Sequence, residues 1–184
     1  MLTAPGATAL ATIDDAREVL LEDALRAVSL VRAFPGRVVD VGSGGGSPGL
    51  PLAVALPERS FTLLESERRK CDFLEQFARE LANVEVVWGR AEEQPLESFG
   101  VALAKALAKP PVAVELCLPL VAVGGAVLVW LGRTAEREAL AASASLVGGL
   151  LDREEDGVAI VRKIAPTPPG FPRRPGLAKK RPLA

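Results

Sequence analysis

The chain predicts a doubly wound α/β domain on a mostly parallel sheet, and three observations carry that fold class. Short apolar runs of strand length alternate with segments of ten or more residues at helical spacing, the pattern of a parallel sheet covered on both faces. The first of those runs leads straight into a glycine-rich turn, VVDVGSGGGSPGLPLAVA (residues 38–55). The length, 184 residues, suits one compact domain, and 49% hydrophobic against 4% aromatic residues means a core built from Val, Leu and Ala.

Taken in order, IDDAREVLLEDALRAVSLVRA (13–33) places apolar residues at helical spacing, with Thr12 or Asp14 as its cap. RVVDV is a short buried strand. PGLPLAVAL is the helix after the glycine turn, its prolines near the start where missing amides cost least. FTLLE is a second strand, and ERRKCDFLEQFARELA is an amphipathic helix whose stripe of Cys71, Phe73, Leu74, Phe77 and Leu81 is expected in the core. VEVVW is a third strand and VALAKAL a fourth, followed by a helix at VAVELCLPLV. GAVLVWL is a fifth strand, TAEREALAASASLV a helix, DREEDG a polar turn and GVAIVRKI a last strand. Trp88 and Trp130, at strand ends, read as core residues. Residues 165–184 carry six prolines and are expected to be irregular. The organisation is an N-terminal helical segment (1–36), a nucleotide-binding α/β domain (37–164) and a Pro-rich basic tail (165–184).

Charge is unevenly spread. The last fourteen residues hold Arg173, Arg174, Lys179, Lys180 and Arg181 and no acid, which leaves 17 bases against 23 acids, a charge of −6, in residues 1–170. An acidic body with a cationic, proline-stiffened tail points to a polyanionic partner. No apolar run reaches the roughly 18–20 residues needed to span a bilayer. MLTAPGATAL has no basic residue before its weak apolar run, so no signal peptide is expected. Cys71 and Cys117 lie in apolar surroundings and read as reduced core thiols of a cytoplasmic protein. With no histidine and two cysteines, a structural zinc site is not expected.

The turn has five glycines in eight positions (42–49), and fixing glycine costs more entropy than fixing any other residue. In open α/β sheets ligands bind beyond the carboxyl ends of the strands, where strand order reverses, and a glycine turn there lets backbone approach a nucleotide. Dinucleotides and S-adenosylmethionine both use this arrangement. Residues 44–49 satisfy G-x-G-x-x-G, so spacing alone keeps the dinucleotide reading open. Asp40, on the strand before the turn, either holds the turn's amides or approaches a cationic ligand end. Glu65 ends the second strand, where a carboxylate accepts both hydroxyls of a ribose of either ligand. Pro48 and Pro51 remove amides from the helix start that would greet a pyrophosphate. S-adenosylmethionine carries no phosphate, and the glycines are read as admitting an adenosyl sulfonium.

With turn, Glu65 and tail in view, the sequence resembles the GidB family, bacterial small-subunit (16S) ribosomal RNA guanine-N7 methyltransferases. The resemblance rests on LLEDALR, DVGSGGGSPGLPLA, FTLLESERRKCDFL, VEVVWGRAEE, GGAVLVWLG and FPRRPGLAKKRPL, the last being the most specific. It implies a Rossmann-like class I S-adenosylmethionine-dependent methyltransferase fold. It also implies cofactor contacts at Gly42 and Ser47 along the amino-acid part, Glu65 on the ribose and Ala91–Glu92 at the adenine. Asp40, Ser43, Gly44 and Lys105 join the expected cofactor set; Arg173, Arg174, Lys179, Lys180 and Arg181 form the expected RNA set. The implied partner is 16S ribosomal RNA or the small ribosomal subunit, met by a monomer without membrane attachment. Lys105 stands where family members carry arginine, and Gly100 where they carry aspartate. The family's longer N-terminal helical region with a Trp-Asn stretch is absent.

The residue inventory fits that chemistry. Histidine and tyrosine are missing, so reactions needing a general base near neutral pH have little to draw on. Guanine N7 carries an in-plane lone pair and no proton, so positioning alone suffices, worth roughly 7–11 kcal/mol. No residue is assigned a catalytic role, Lys105 being the one candidate for a cationic contact. Two other readings stand beside this one: an RNA-binding module with a vestigial cofactor pocket, and an NAD-dependent oxidoreductase, against which the lack of a Tyr-Lys pair or histidine counts.

Overall fold

The computed structural model describes residues 14, 17–132 and 134–184. One seven-stranded sheet forms the middle layer: β1 (Val38–Val41), β2 (Phe61–Glu65), β3 (Val84–Trp88), β4 (Phe99–Ala104), β5 (Val121–Trp130), β6 (Gly149–Glu155) and β7 (Val158–Lys163). The order is β3-β2-β1-β4-β5-β7-β6. The first five strands are parallel, and β7 runs antiparallel to both of its neighbours. Every residue of β1 and β2 is buried, as expected of strands covered on both faces.

The period-2 alternation sorts the core into two layers. Val38, Val101, Leu103 and Leu128 face the N-terminal helix α1 (Val28–Arg32) and α2 (Gly49–Ala55). On that face Leu50 of α2, Leu63 and Leu74 of α3 (Arg68–Ala78) form a smaller cluster. Val39, Val41, Ala102 and Val127 face α4 (Pro110–Cys117), α5 (Arg137–Leu146) and the short α6 (Leu177–Lys180). Both flanking segments belong to these layers, since Ala27, Leu30 and Val31 are buried in one and Ala178 in the other. Among the described residues no helix is long and apolar enough to cross a membrane.

Several expectations are corrected. The single helix over 13–33 is broken into a π-helical turn (Arg17–Glu22), a turn at Asp23–Leu25 and α1; the Thr12 cap lies outside the described residues. β4 starts and stops earlier than expected, and Ala106 has φ +53°, which no strand residue adopts. The polar stretch before the last strand is itself strand: β6 pairs with β7 through a two-residue turn, Asp156-Gly157, both at positive φ. That is the geometry tight hairpins require. Residues 165–184 are irregular as expected except at Leu177–Lys180, which form α6 and pack on the body. Phe73 and Phe77 meet edge to face at 5.1 Å on the outer side of α3, with Phe77 exposed, so the core stripe of that helix is Cys71 and Leu74. Trp88 is 60% exposed at the end of edge strand β3; its indole N–H donates to the Ser66 carbonyl and Arg68 lies over its ring. Gly100 sits at the start of β4, at the edge far from the ends of β1 and β2. A Cβ there would collide with the Pro35 carbonyl, so the chain has no room for the aspartate the resemblance implies.

Candidate functional site

Strand order reverses between β1 and β4. From there the chain goes to α2 on one face and α4 on the other, so a crevice opens past their carboxyl ends. A cleft of about 310 Å³ lies at that point, lined by Gly42, Ser43, Gly44, Ser47, Glu65 and Lys105 among others. That is at the lower end of the roughly 300–1,000 Å³ of small-molecule sites. A smaller recess of about 70 Å³ adjoins it, lined by Arg90, Ala91, Glu92, Leu116 and Gly176. Gly42, Ser66, Leu107 and Lys179 line both, which makes the two one continuous groove.

The glycines of the turn divide by task. A Cβ on Gly49 would press into Leu63 and reach 2.7 Å from the Asp40 carboxylate, so this glycine lets α2 lie on the sheet. Gly46 is pressed in the same way against Leu50. Gly44 differs: at φ +53° a Cβ would meet nothing closer than the Gly42 carbonyl, 3.7 Å away, and it lines the cleft. The expectation that the glycines together make room for a ligand therefore narrows to Gly44 and its cleft-lining neighbours.

Asp40 stands beneath the turn. It is 1% exposed, and its Oδ2 accepts the Gly49 amide at 3.0 Å. Ser43 donates its hydroxyl to the Asp40 carbonyl at 2.8 Å. Burial pushes the Asp40 carboxyl up to about 7, against the lowering pull of the Gly49 amide. This corrects the reading of Asp40 as a ligand contact: it fixes the start of α2. That start is also closed to phosphate, because the Gly49 amide is taken, the Leu50 amide donates to Gly46 at 2.7 Å and Pro51 has none.

Glu65 ends β2 on the other bank of the cleft. Its Oε2 accepts the Gly44 amide at 2.9 Å, and its Oε1 accepts the amides of Ser66 at 2.7 Å and Glu67 at 2.9 Å. Three backbone amides thus orient a carboxylate that is 5% exposed and lines the groove. Lys105, at the β4 exit, pairs with Asp23 of the N-terminal segment at 2.8 Å. Ser47 ties the same segment down by donating to the Leu20 carbonyl at 2.8 Å. Both side chains line the cleft, but each is also a fastening for residues 20–23.

Ala91 is buried at the recess, and Glu92 beside it accepts the Gly176 amide at 2.9 Å. Arg173 turns inward and is only partly exposed. Its guanidinium grips Glu115 of α4 at 2.5 and 2.6 Å and donates to the Arg181 carbonyl at 2.8 Å. Glu115 is buried and the Arg173 side chain is 19% exposed, so this is a partly buried pair and Arg173 is withdrawn from the expected RNA set. Arg174, Lys179, Lys180 and Arg181 remain exposed. Sequence reasoning missed Glu115, although a lone acid in PPVAVELCLPL was a signal that a cation must come to it.

Residues 5–149 match the model of the GidB family, described as rRNA small subunit methyltransferase G. A protein named ribosomal RNA small subunit methyltransferase G from Synechococcus sp. (strain JA-2-3B'a(2-13)) is 38% identical over 189 residues, 89% of this chain and 72% of its own length. One of the same name from Moorella thermoacetica is 36% identical over 200 residues, covering 95% and 82%. Among solved structures, a T. thermophilus 16S rRNA N2 methyltransferase, determined with AdoMet and guanosine, superposes with a TM-score of 0.59 at 16% identity, over 80% of this chain and 40% of that one. At that identity the likeness is one of fold.

Proposed function

The chain belongs to the GidB family of small-subunit ribosomal RNA methyltransferases, and from that premise we propose that it transfers a methyl group from S-adenosylmethionine to N7 of a guanine in 16S ribosomal RNA. The observation that carries the proposal is the groove at the sheet's reversal point, where the Gly44 turn and Glu65, joined by the Gly44 amide, line one cleft. When bound, S-adenosylmethionine supplies a methyl group made electrophilic by its sulfonium. Glu65 accepts the ribose hydroxyls, Gly42, Ser43 and Gly44 hold the amino-acid part with backbone, and Ala91 and Glu92 border the adenine. The blocked start of α2 disfavours a diphosphate-linked dinucleotide at the same place.

The acceptor nitrogen has a lone pair and no proton to lose, so no general base is needed. The chain's task is alignment, and its lack of histidine is no handicap. Arg174, Lys179, Lys180 and Arg181 supply the attraction to RNA phosphates. A ribosomal RNA substrate puts the enzyme in the cytoplasm. The test is transfer of labelled methyl from S-adenosylmethionine to small subunits lacking the modification, followed by mapping at nucleotide resolution. The expected result is one guanine methylated at N7. RNA binding without transfer would replace this reading with that of a binding module, and methylation at another atom would overturn the direct mechanism.

A further inference from the structure

We propose that the C-terminal segment 171–184 is a wall of the cofactor groove: it closes over the adenosyl end, and its docking and cofactor binding favour each other. The inference rests on the S-adenosylmethionine reading above. Three observations carry it. Lys179 lines both parts of the groove and Gly176 lines the recess. The Gly176 amide donates to Glu92, the residue beside Ala91 at that recess, and a carboxylate retains acceptor capacity for an exocyclic amine after one such bond. Arg173 reaches into the body to neutralise the buried Glu115 with two hydrogen bonds, while Ala178 is 2% exposed among the residues of the α4 layer.

A tail built only to reach RNA needs none of these fastenings. Undocking it would cost Glu115 its paired guanidinium and both of those charge-assisted hydrogen bonds. It would also remove one side of the recess. A ligand that binds only the docked arrangement stabilises it, and by reciprocity a docked segment tightens the ligand. The cationic end of the chain therefore does double duty. Arg173 and Gly176 anchor it, and Lys179 is presented at the groove rather than on a free tether.

Backbone hydrogen exchange on the full chain, with and without S-adenosylmethionine, tests this directly. Saturating cofactor should slow exchange at Gly176–Lys180 by about tenfold more than at the β6–β7 edge, which reports any global stabilisation. Equal slowing in the two regions overturns the proposal. Arg173→Ala should free those amides and weaken cofactor affinity by about tenfold. A folded variant with free amides and unchanged affinity also overturns it. Should that variant not fold, the exchange result on the parent chain decides. If the parent binds no S-adenosylmethionine at all, the functional reading has failed rather than this inference.

Discussion

At the end of β2 a single carboxylate has its position set by three backbone amides. Glu65→Ala removes the proposed ribose acceptor and the partner of the Gly44 amide together. S-adenosylmethionine affinity should fall by about tenfold or more, about 1.4 kcal/mol at least, by calorimetry. Unchanged affinity with an unchanged melting temperature would remove Glu65 from the site. Asp40 makes a different prediction because its carboxyl is held up to about 7 from an ordinary 3.8 by burial. The folded state keeps a proton that the unfolded chain gives up above about pH 4, so this group's stabilising share is lost as pH rises from about 4 to about 7. The loss is about 1.4 kcal/mol per pH unit while the difference is a full proton. Asp40→Asn keeps an oxygen for the Gly49 amide and does not titrate. Its stability relative to the parent should rise between about pH 4 and about pH 7, measured by denaturant unfolding. A pH-independent difference would contradict the burial of a titrating group there.

Between elements, the decisive contact is α2 against the centre of the sheet. Gly49→Ala would drive a methyl group into Leu63 and the Asp40 carboxylate, and overpacking of this kind costs about 1–3 kcal/mol. Thermal unfolding should show the loss, and cofactor affinity should drop with it because the turn and α2 move together; full stability in this variant would contradict the packing. The same contact shows what the sequence made legible. The alternation of buried strands with helices and the acid closing β2 were readable, since continuous apolar runs and a glycine turn leave few other folds. Three features were hidden. The β6 strand carries its charges on an exposed edge and so read as a turn, though Asp156-Gly157 was a hairpin signal. The exposure of Trp88 depends on β3 being an edge strand, which is set by sheet order and not by local pattern. The docking of Arg173 depends on Glu115, 58 residues away, a pairing that no local spacing reveals.

The whole molecule sets an acidic body beside a cationic terminus folded back onto its own ligand groove. Of the five terminal cations, Arg173 is spent on Glu115, so RNA phosphates meet at most four. Log affinity for RNA should therefore fall by about 2.8–3.6 for each tenfold rise in salt. A slope clearly steeper than that would mean that further cations, Arg173 or those of residues 1–170, also meet phosphate. Under the proposed function, Lys179 at the groove would draw RNA toward the methyl donor. All of this depends on the groove accepting a methyl-donating nucleoside in preference to a dinucleotide. Calorimetric titration of the full chain with S-adenosylmethionine and, separately, with NADH tests that most directly. The expected result is saturable binding of S-adenosylmethionine and none of NADH at the same concentrations. Tighter binding of NADH, or a groove that takes neither, would contradict it.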